Sequence, residues 1–319
     1  MHIMSPLEIR AHGSDPVRCA AEVAFRPVDF SRPFIHEEFT QLYYTPLYRS
    51  LSHAQRLRYN QLFGVRVNEQ FMALENDVTN RVVVRLLDHP RIASDPVLAD
   101  CLGSMVREEE RHYRMFRSLN LLCLPEAYER TDRYFTRLGW VESRVFTLVT
   151  GLARQLPFLL WFIIALEEYS IALSRALIQR TRTESLGPLE ENFVRVHAEH
   201  VKDEVRHVHL DVHVIRACLS SASSARRALN AALLRRFMKD LVIPKRSGLA
   251  VVRRWIEEHP ELEPHRTDLI QAVRALQHDD AFQRSLFNRS LMPRTFALFD
   301  AQPELADLGT VLRGYERRG

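Results

Sequence analysis

Glycine is scarce in this chain, with 10 in 319 residues, about 3% where roughly 7% is usual. Long stretches also lack proline, so the turns that a sheet protein needs are missing and helices meet little interruption. The chain reads as all-α. Cysteine is confined to Cys19, Cys101, Cys123 and Cys218, with no C-x-x-C pair and no zinc-like spacing. That excludes a thiolate metal site and a disulfide framework, and suits buried thiols in a reducing cytoplasm. No apolar run is long: Leu156 to Leu166 has 11 residues, against about 20 for a membrane span. With no basic-then-apolar leader either, the expected setting is cytoplasmic, with no membrane partner. Lysine is almost absent, Lys202, Lys239 and Lys245 leaving 41 of the 44 basic residues as arginine. The net charge of +4 sits on arginines scattered among acids, without the stripe that nucleic acid would require as a partner.

What is present is an ordinary globular balance, 46% apolar and 26% charged, enough for a sizeable core. Residues 1–35 hold Pro6, Pro16, Pro27 and Pro33 without helical periodicity and are expected to be an irregular lead-in. From His53 to Leu87, apolar residues recur near every 3.6 positions, which predicts one long helix. Ser94-Asp95-Pro96 offers a cap and a first-turn proline for a second helix over about 95–119. A shorter segment starts at Pro125. A third long helix is expected over 157–180 and a fourth over 189–218. Beyond the polar break at Ser220 to Ser224, shorter helices are expected near 225–242, 247–258, 265–276 and 279–300. No linker separates domains, so residues 36–219 form the expected helical bundle and 220–319 accessory helices of one unit.

Two frames stand out: Glu108-Glu109-Glu110-Arg111-His112 and Asp203-Glu204-Val205-Arg206-His207. A carboxylate and an imidazole at i and i+3 on a helix point the same way and can grip one ion. One Glu-x-x-His is usually a solvated surface pair, and with 25 Glu and 14 His the chain should hold about one by chance. The fuller acid-Glu-x-Arg-His frame would arise only about once in fifty shuffled chains, and it occurs twice. A dinuclear carboxylate site in a four-helix bundle needs one further Glu from each of the other two helices. On the first long helix Glu75 lies on the apolar stripe with Leu74, Phe71 and Val78, whereas Glu69 follows the polar Asn68 and is harder to place inside. On the third, Glu167 steps onto Ile163, Ile171 and Leu159, while Glu168, the alternative, reaches Ile164, Ala172 and Arg175.

His200, four residues before Glu204 and seven before His207, shares their face and adds an imidazole, expected on the second ion. His197 lies at the edge of that stripe. Glu108 and Asp203 are expected to accept the outer N–H of the histidine in the opposite motif, since ligating imidazoles commonly lean on a carboxylate. Arg111 and Arg206 read as ion-paired supports. Carboxylate and imidazole ligands without thiolate suit iron first, with manganese the alternative.

The set Glu75, Glu109, His112, Glu167 (or Glu168), His200, Glu204 and His207, with Tyr59-Asn60-Gln61 and Asn68-Glu69-Gln70 on the first helix, resembles the p-aminobenzoate N-oxygenase family of non-haem diiron arylamine oxygenases. The likeness spans about residues 50–215, and His200 is what narrows it from diiron bundles in general. It implies a homodimeric ferritin-like bundle whose peroxo-diiron species oxygenates an amine nitrogen, with O2 as co-substrate and electrons from an outside donor, in specialised metabolism. The interval from Glu167 to Glu204 is longer than the family pattern suggests. Trp161, Phe162, Tyr169 and Phe193 could line a pocket but read first as ordinary core. Two alternatives share the scaffold: a C–H hydroxylase, desaturase or oxidative decarboxylase, and a non-enzymatic iron-binding protein.

Overall fold

The computed structural model describes residues 3–13, 23–219, 222–244 and 246–317; Cys19, Lys245 and part of the expected lead-in lie outside them. Helix α1 (Pro6–Ala11) starts on a reciprocal capping box between Ser5 and Glu8. Helix α2 (His53–Met72), capped by Ser52, continues through a π-helical segment (Ala73–Asn80) into α3 (Arg81–Leu86). Helix α4 (Pro96–Cys123) begins where Asp95 accepts the N–H groups of Val97 and Leu98. Then follow α5 (Trp140–Gly151), α6 (Phe158–Gln179) and α7 (Glu191–Leu219). The chain ends in α8 (Ser224–Val242), α9 (Arg246–Glu258), α10 (Arg266–Ala275), α11 (Asp280–Leu286) and α12 (Pro293–Asp300). The fold is all-α: the described residues hold no strand, only isolated bridges at Arg182 with Pro188 and Asn288 with Gly314. None of their helices is long and apolar enough to cross a membrane.

The structure departs from the sequence reading in four places. The lead-in contains α1, and α5 was not foreseen. The span 279–300 is two helices, parted before Pro293. The helix expected over 53–87 is interrupted by π geometry at the turns that carry Glu75. A π segment shifts the hydrophobic stripe by only part of a turn, which periodicity does not register. At its start Met72 O accepts from Arg133 Nη2 at 3.0 Å, and the same guanidinium donates to Asp77 Oδ2 at 2.8 Å.

Helices α2, α4, α6 and α7 form the bundle. Along α4, α6 and α7, and where α2 passes into the π segment, one apolar core gives way to another: on α4 the residues up to Met105 belong to one cluster and those from Met115 to the second, and on α7 the change falls between Val196 and Val208. The layer between them holds the candidate ligands. Helix α6 is apolar nearly all round because α7 packs along it while α8 and α12 cover its other sides. Its first turn is capped by Asn230 Oδ1 on α8, which accepts from Phe158 N at 2.9 Å.

The Tyr59-Asn60-Gln61 stretch ties the N-terminal segment to α2. Asn60 accepts from Phe34 N at 2.9 Å and donates to Ile35 O at 2.8 Å, and Gln61 donates to Phe30 O at 2.7 Å. Gly64 lets that segment cross closely, since a Cβ there would lie 2.7 Å from Phe34 Cβ.

Candidate metal centre

The middle layer of the bundle brings together two groups of side chains: Glu75, His112, His200 and Glu204, and Glu109, Glu167, Glu204 and His207. Glu204 belongs to both. Every member is at most 2% exposed. The π segment carries Glu75, α4 carries Glu109 and His112, α6 carries Glu167, and α7 carries His200, Glu204 and His207. Glu204 Oε1 lies 3.1 Å from His112 Nδ1, 3.3 Å from His200 Nε2 and 3.3 Å from His207 Nδ1. His207 Nδ1 lies 3.0 Å from Glu109 Oε1. The extra imidazole falls with the first group, not the second as expected: His200 Nε2 is 3.0 Å from Glu75 Oε1. Two turns of α7 separate His200 from His207, which is enough to carry it across the layer to the π segment.

Behind the imidazoles the motifs cross over. His112 Nε2 meets Asp203 Oδ2 at 3.1 Å, and His207 Nε2 meets Glu108 Oε2 at 2.8 Å. Carboxylates accept, so the proton sits on Nε2 and Nδ1 faces the centre. Arg206 Nη2 joins the two acids, 2.7 Å from Glu108 Oε1 and 3.0 Å from Asp203 Oδ1, and Arg111 Nη1 lies 3.5 Å from Asp203 Oδ2. His200 is backed differently, by a neutral hydroxyl: Ser174 Oγ lies 3.5 Å from its Nδ1 and 2.9 Å from His197 Nδ1.

The donor set fits a pair of cations. Both oxygens of Glu109, Oε2 of Glu75, Oε1 of Glu204 and Nδ1 of both His112 and His207 are buried without a hydrogen bond, although neighbours lie near 3 Å. Atoms that close but misaligned are spaced like adjacent ligands on one octahedral ion, about 3 Å apart when each bond is ~2.1 Å. No lysine or arginine of the described residues pairs with any of the four glutamates. Four buried carboxylates without a fixed cation would be costly, and two divalent ions balance them charge for charge.

Without cations, protons take their place. Burial and then the neighbouring carboxylates push Glu167 well above the ordinary range; burial does the same to Glu75 against the pull of the nearby His112, with Glu109 and Glu204 adding to the rise. Burial opposes the charge on His112 and His207, yet the carboxylates around each ring raise both well above the usual imidazole value. Glu108, despite burial, is brought down to about 2 by His207 and Arg206.

The remaining candidates have other partners. Glu168 leaves the centre to cap α12, accepting from Arg294 N at 3.0 Å and Thr295 N at 2.7 Å. Glu69 holds the loop after α4, accepting from Tyr128 Oη, Phe135 N and Thr136 N at 2.5, 2.9 and 2.7 Å. Trp161 and Phe193 are core, the latter stacked on Phe34; Phe162 and Tyr169 pack on Phe237 and Phe287.

Sequence reasoning missed the rings that do border the centre. Phe71 stacks on His200 with centroids 5.5 Å apart and Phe116 meets it edge-on at 5.1 Å. Each lies four residues from a candidate ligand, Glu75 or His112, a spacing that could have found them. Thr79, one turn past Glu75, donates to Glu167 Oε1 at 3.3 Å. Asp211, one turn past His207, adds a buried carboxyl that burial raises well above its ordinary value.

No curated protein matches the chain. A family model described as p-aminobenzoate N-oxygenase AurF matches residues 22–287, a span that holds every residue of both groups. The chain belongs to the p-aminobenzoate N-oxygenase family.

Proposed function

We propose that the protein is a non-haem diiron N-oxygenase that acts on an amine, an arylamine by the chemistry of its family, with O2 and an external electron donor. The observation that carries this reading is the pair of buried ligand groups joined by Glu204. One ion would be held by Glu75, His112, His200 and Glu204, the other by Glu109, Glu167, Glu204 and His207. Bound there, two ferrous ions would supply electrons for the reduction of O2. In the first oxygenation one oxygen atom enters an N–H bond and gives a hydroxylamine. The other leaves as water with two protons and the two electrons that the ions would supply, which the donor restores; nitroso and nitro products lie at higher oxidation.

The chain's own residues prepare the centre. Asp203 and Glu108 hold the Nε2 protons of His112 and His207 and keep Nδ1 turned inward. Phe71 and Phe116 wall the His200 side, exclude water and offer ring faces to an aromatic substrate. The free, buried thiols of Cys101, Cys123 and Cys218 suit a cytoplasmic protein.

The test is anaerobic loading with Fe(II), a metal count, then O2 with a reductant and an arylamine, with products followed by mass spectrometry. The expected result is two irons per chain and N-oxygenated product. Fewer than one iron per chain would sink the reading. So would indifference to every amine together with hydroxylation or desaturation of an aliphatic substrate.

A further inference from the structure

His200 differs from the other two candidate imidazoles in what stands behind it. Asp203 and Glu108 take the Nε2 protons of His112 and His207, and a carboxylate can only accept, which fixes the tautomer. Behind His200 is the Ser174 hydroxyl on α6, which can donate or accept and does not by itself choose between tautomers. To hold an ion beside Glu75 the ring must keep Nε2 bare, with its one proton on Nδ1. A further group has to make that choice.

His197, one turn earlier on α7, is that group. It is fully buried, and Ser174 Oγ lies 2.9 Å from its Nδ1 but 3.5 Å from Nδ1 of His200. Among the described residues the two imidazoles are the only partners of this hydroxyl. The shorter distance suits an O–H donor, so the hydroxyl proton goes to His197 and the oxygen is left to accept from His200. Burial brings His197 down to about 3, so its ring is neutral and carries one proton. With Nδ1 accepting, that proton sits on Nε2, an atom with no hydrogen-bond partner. The ring packs against Phe71 and Phe116, with centroids 5.7 and 5.5 Å away at 75° and 59°. An N–H can point at an aromatic face, whereas a bare lone pair meets only electron density. The two phenyl rings thus favour one direction for the whole chain. We propose that Ser174 and His197 are positioning residues that hold His200 in its ligating tautomer, by hydrogen bonds from His200 Nδ1–H to the Ser174 hydroxyl and from that hydroxyl to His197 Nδ1. This role presupposes the ions of the proposed centre.

Zn(II) serves as a diamagnetic probe, since it accepts the same carboxylate and imidazole donors. Long-range proton–nitrogen NMR correlation on the loaded full chain should find the proton of His200 on Nδ1 and that of His197 on Nε2. A Co(II) titration followed by absorbance then ranks the variants. Ser174→Ala removes the acceptor and should weaken binding at the Glu75 group about 10-fold, with the Glu109 group unchanged. His197→Phe lets the Ser174 proton turn onto His200 Nδ1 and favour the wrong tautomer, so it should cost at least as much, although a phenyl ring suits a place beside Phe71 and Phe116. His197→Asn offers Oδ1 where Nδ1 stood and should restore most of the affinity. A side chain that served packing alone would give the reverse order, with Phe harmless and Asn harmful. That order, or a His197 proton on Nδ1 in a fully loaded chain, overturns the positioning role and leaves the metal centre standing. Fewer than one Zn(II) per wild-type chain overturns both.

Discussion

Two adjacent glutamates on α6 illustrate how one residue of offset separates chemistry from architecture. Glu167 faces the buried carboxylates of Glu109 and Glu204, whereas Glu168 holds the first N–H groups of α12. Their substitutions should separate cleanly. Glu168→Ala removes a helix cap and should cost about 1–2 kcal/mol, measured by urea unfolding, with the metal count unchanged. Glu167→Gln should lose metal from the second group while leaving the apo protein as stable or more so, because it relieves repulsion among buried acids. Asp203→Ala tests the crossed support. Loss of the acceptor behind His112 should weaken metal binding by about 10–100-fold, read by titration under anaerobic conditions, and unchanged affinity would show the contact to be incidental.

At the scale of elements, the long helices and the duplicated motif were legible because apolar periodicity and caps are local: Asp95-Pro96 announces α4, and the 3.6-residue recurrence from His53 announces α2. All seven residues that gather were named from spacing, and so were the acids that cross between motifs. The choice of Glu167 over Glu168 was close in sequence, because what separates them is α12, 126 residues away. The side on which His200 lands was not legible either, since it depends on the π segment that presents Glu75. A distant group holds the start of that segment, Arg133 donating to Met72 O and Asp77 Oδ2. Arg133→Met would strip the partner from Met72 O and should cost about 1–3 kcal/mol by urea midpoint. It should also loosen the Glu75 group before the Glu109 group, visible as two separated steps in a Co(II) titration followed by absorbance.

For the whole molecule, the buried acid layer makes stability depend on metal and on pH together. Glu75, Glu167, His112 and His207 all have folded-state pKa values raised above their ordinary ones. A raised folded value means that the native state holds the proton more tightly than the unfolded chain. That contribution is fully present below the ordinary value of each group and is lost as pH rises through the folded one. These four groups should therefore lower apo stability from about pH 4.5 upward for the acids and from about pH 6.5 upward for the imidazoles; His200 and His197, held low by burial, act the opposite way below about pH 6.5, so the net decline belongs above it. A cation displaces those same protons, so metal affinity should rise over the range in which apo stability falls. At a metal concentration 1,000 times the dissociation constant, binding adds about 4 kcal/mol. In a chain of 319 residues that corresponds to a Tm increase of roughly 6 °C. Anaerobic calorimetry with Fe(II) or Mn(II) should show this increase at pH 8 and a much smaller one at pH 6. An increase that stays constant across that range would mean that the protons and the ion do not share these side chains.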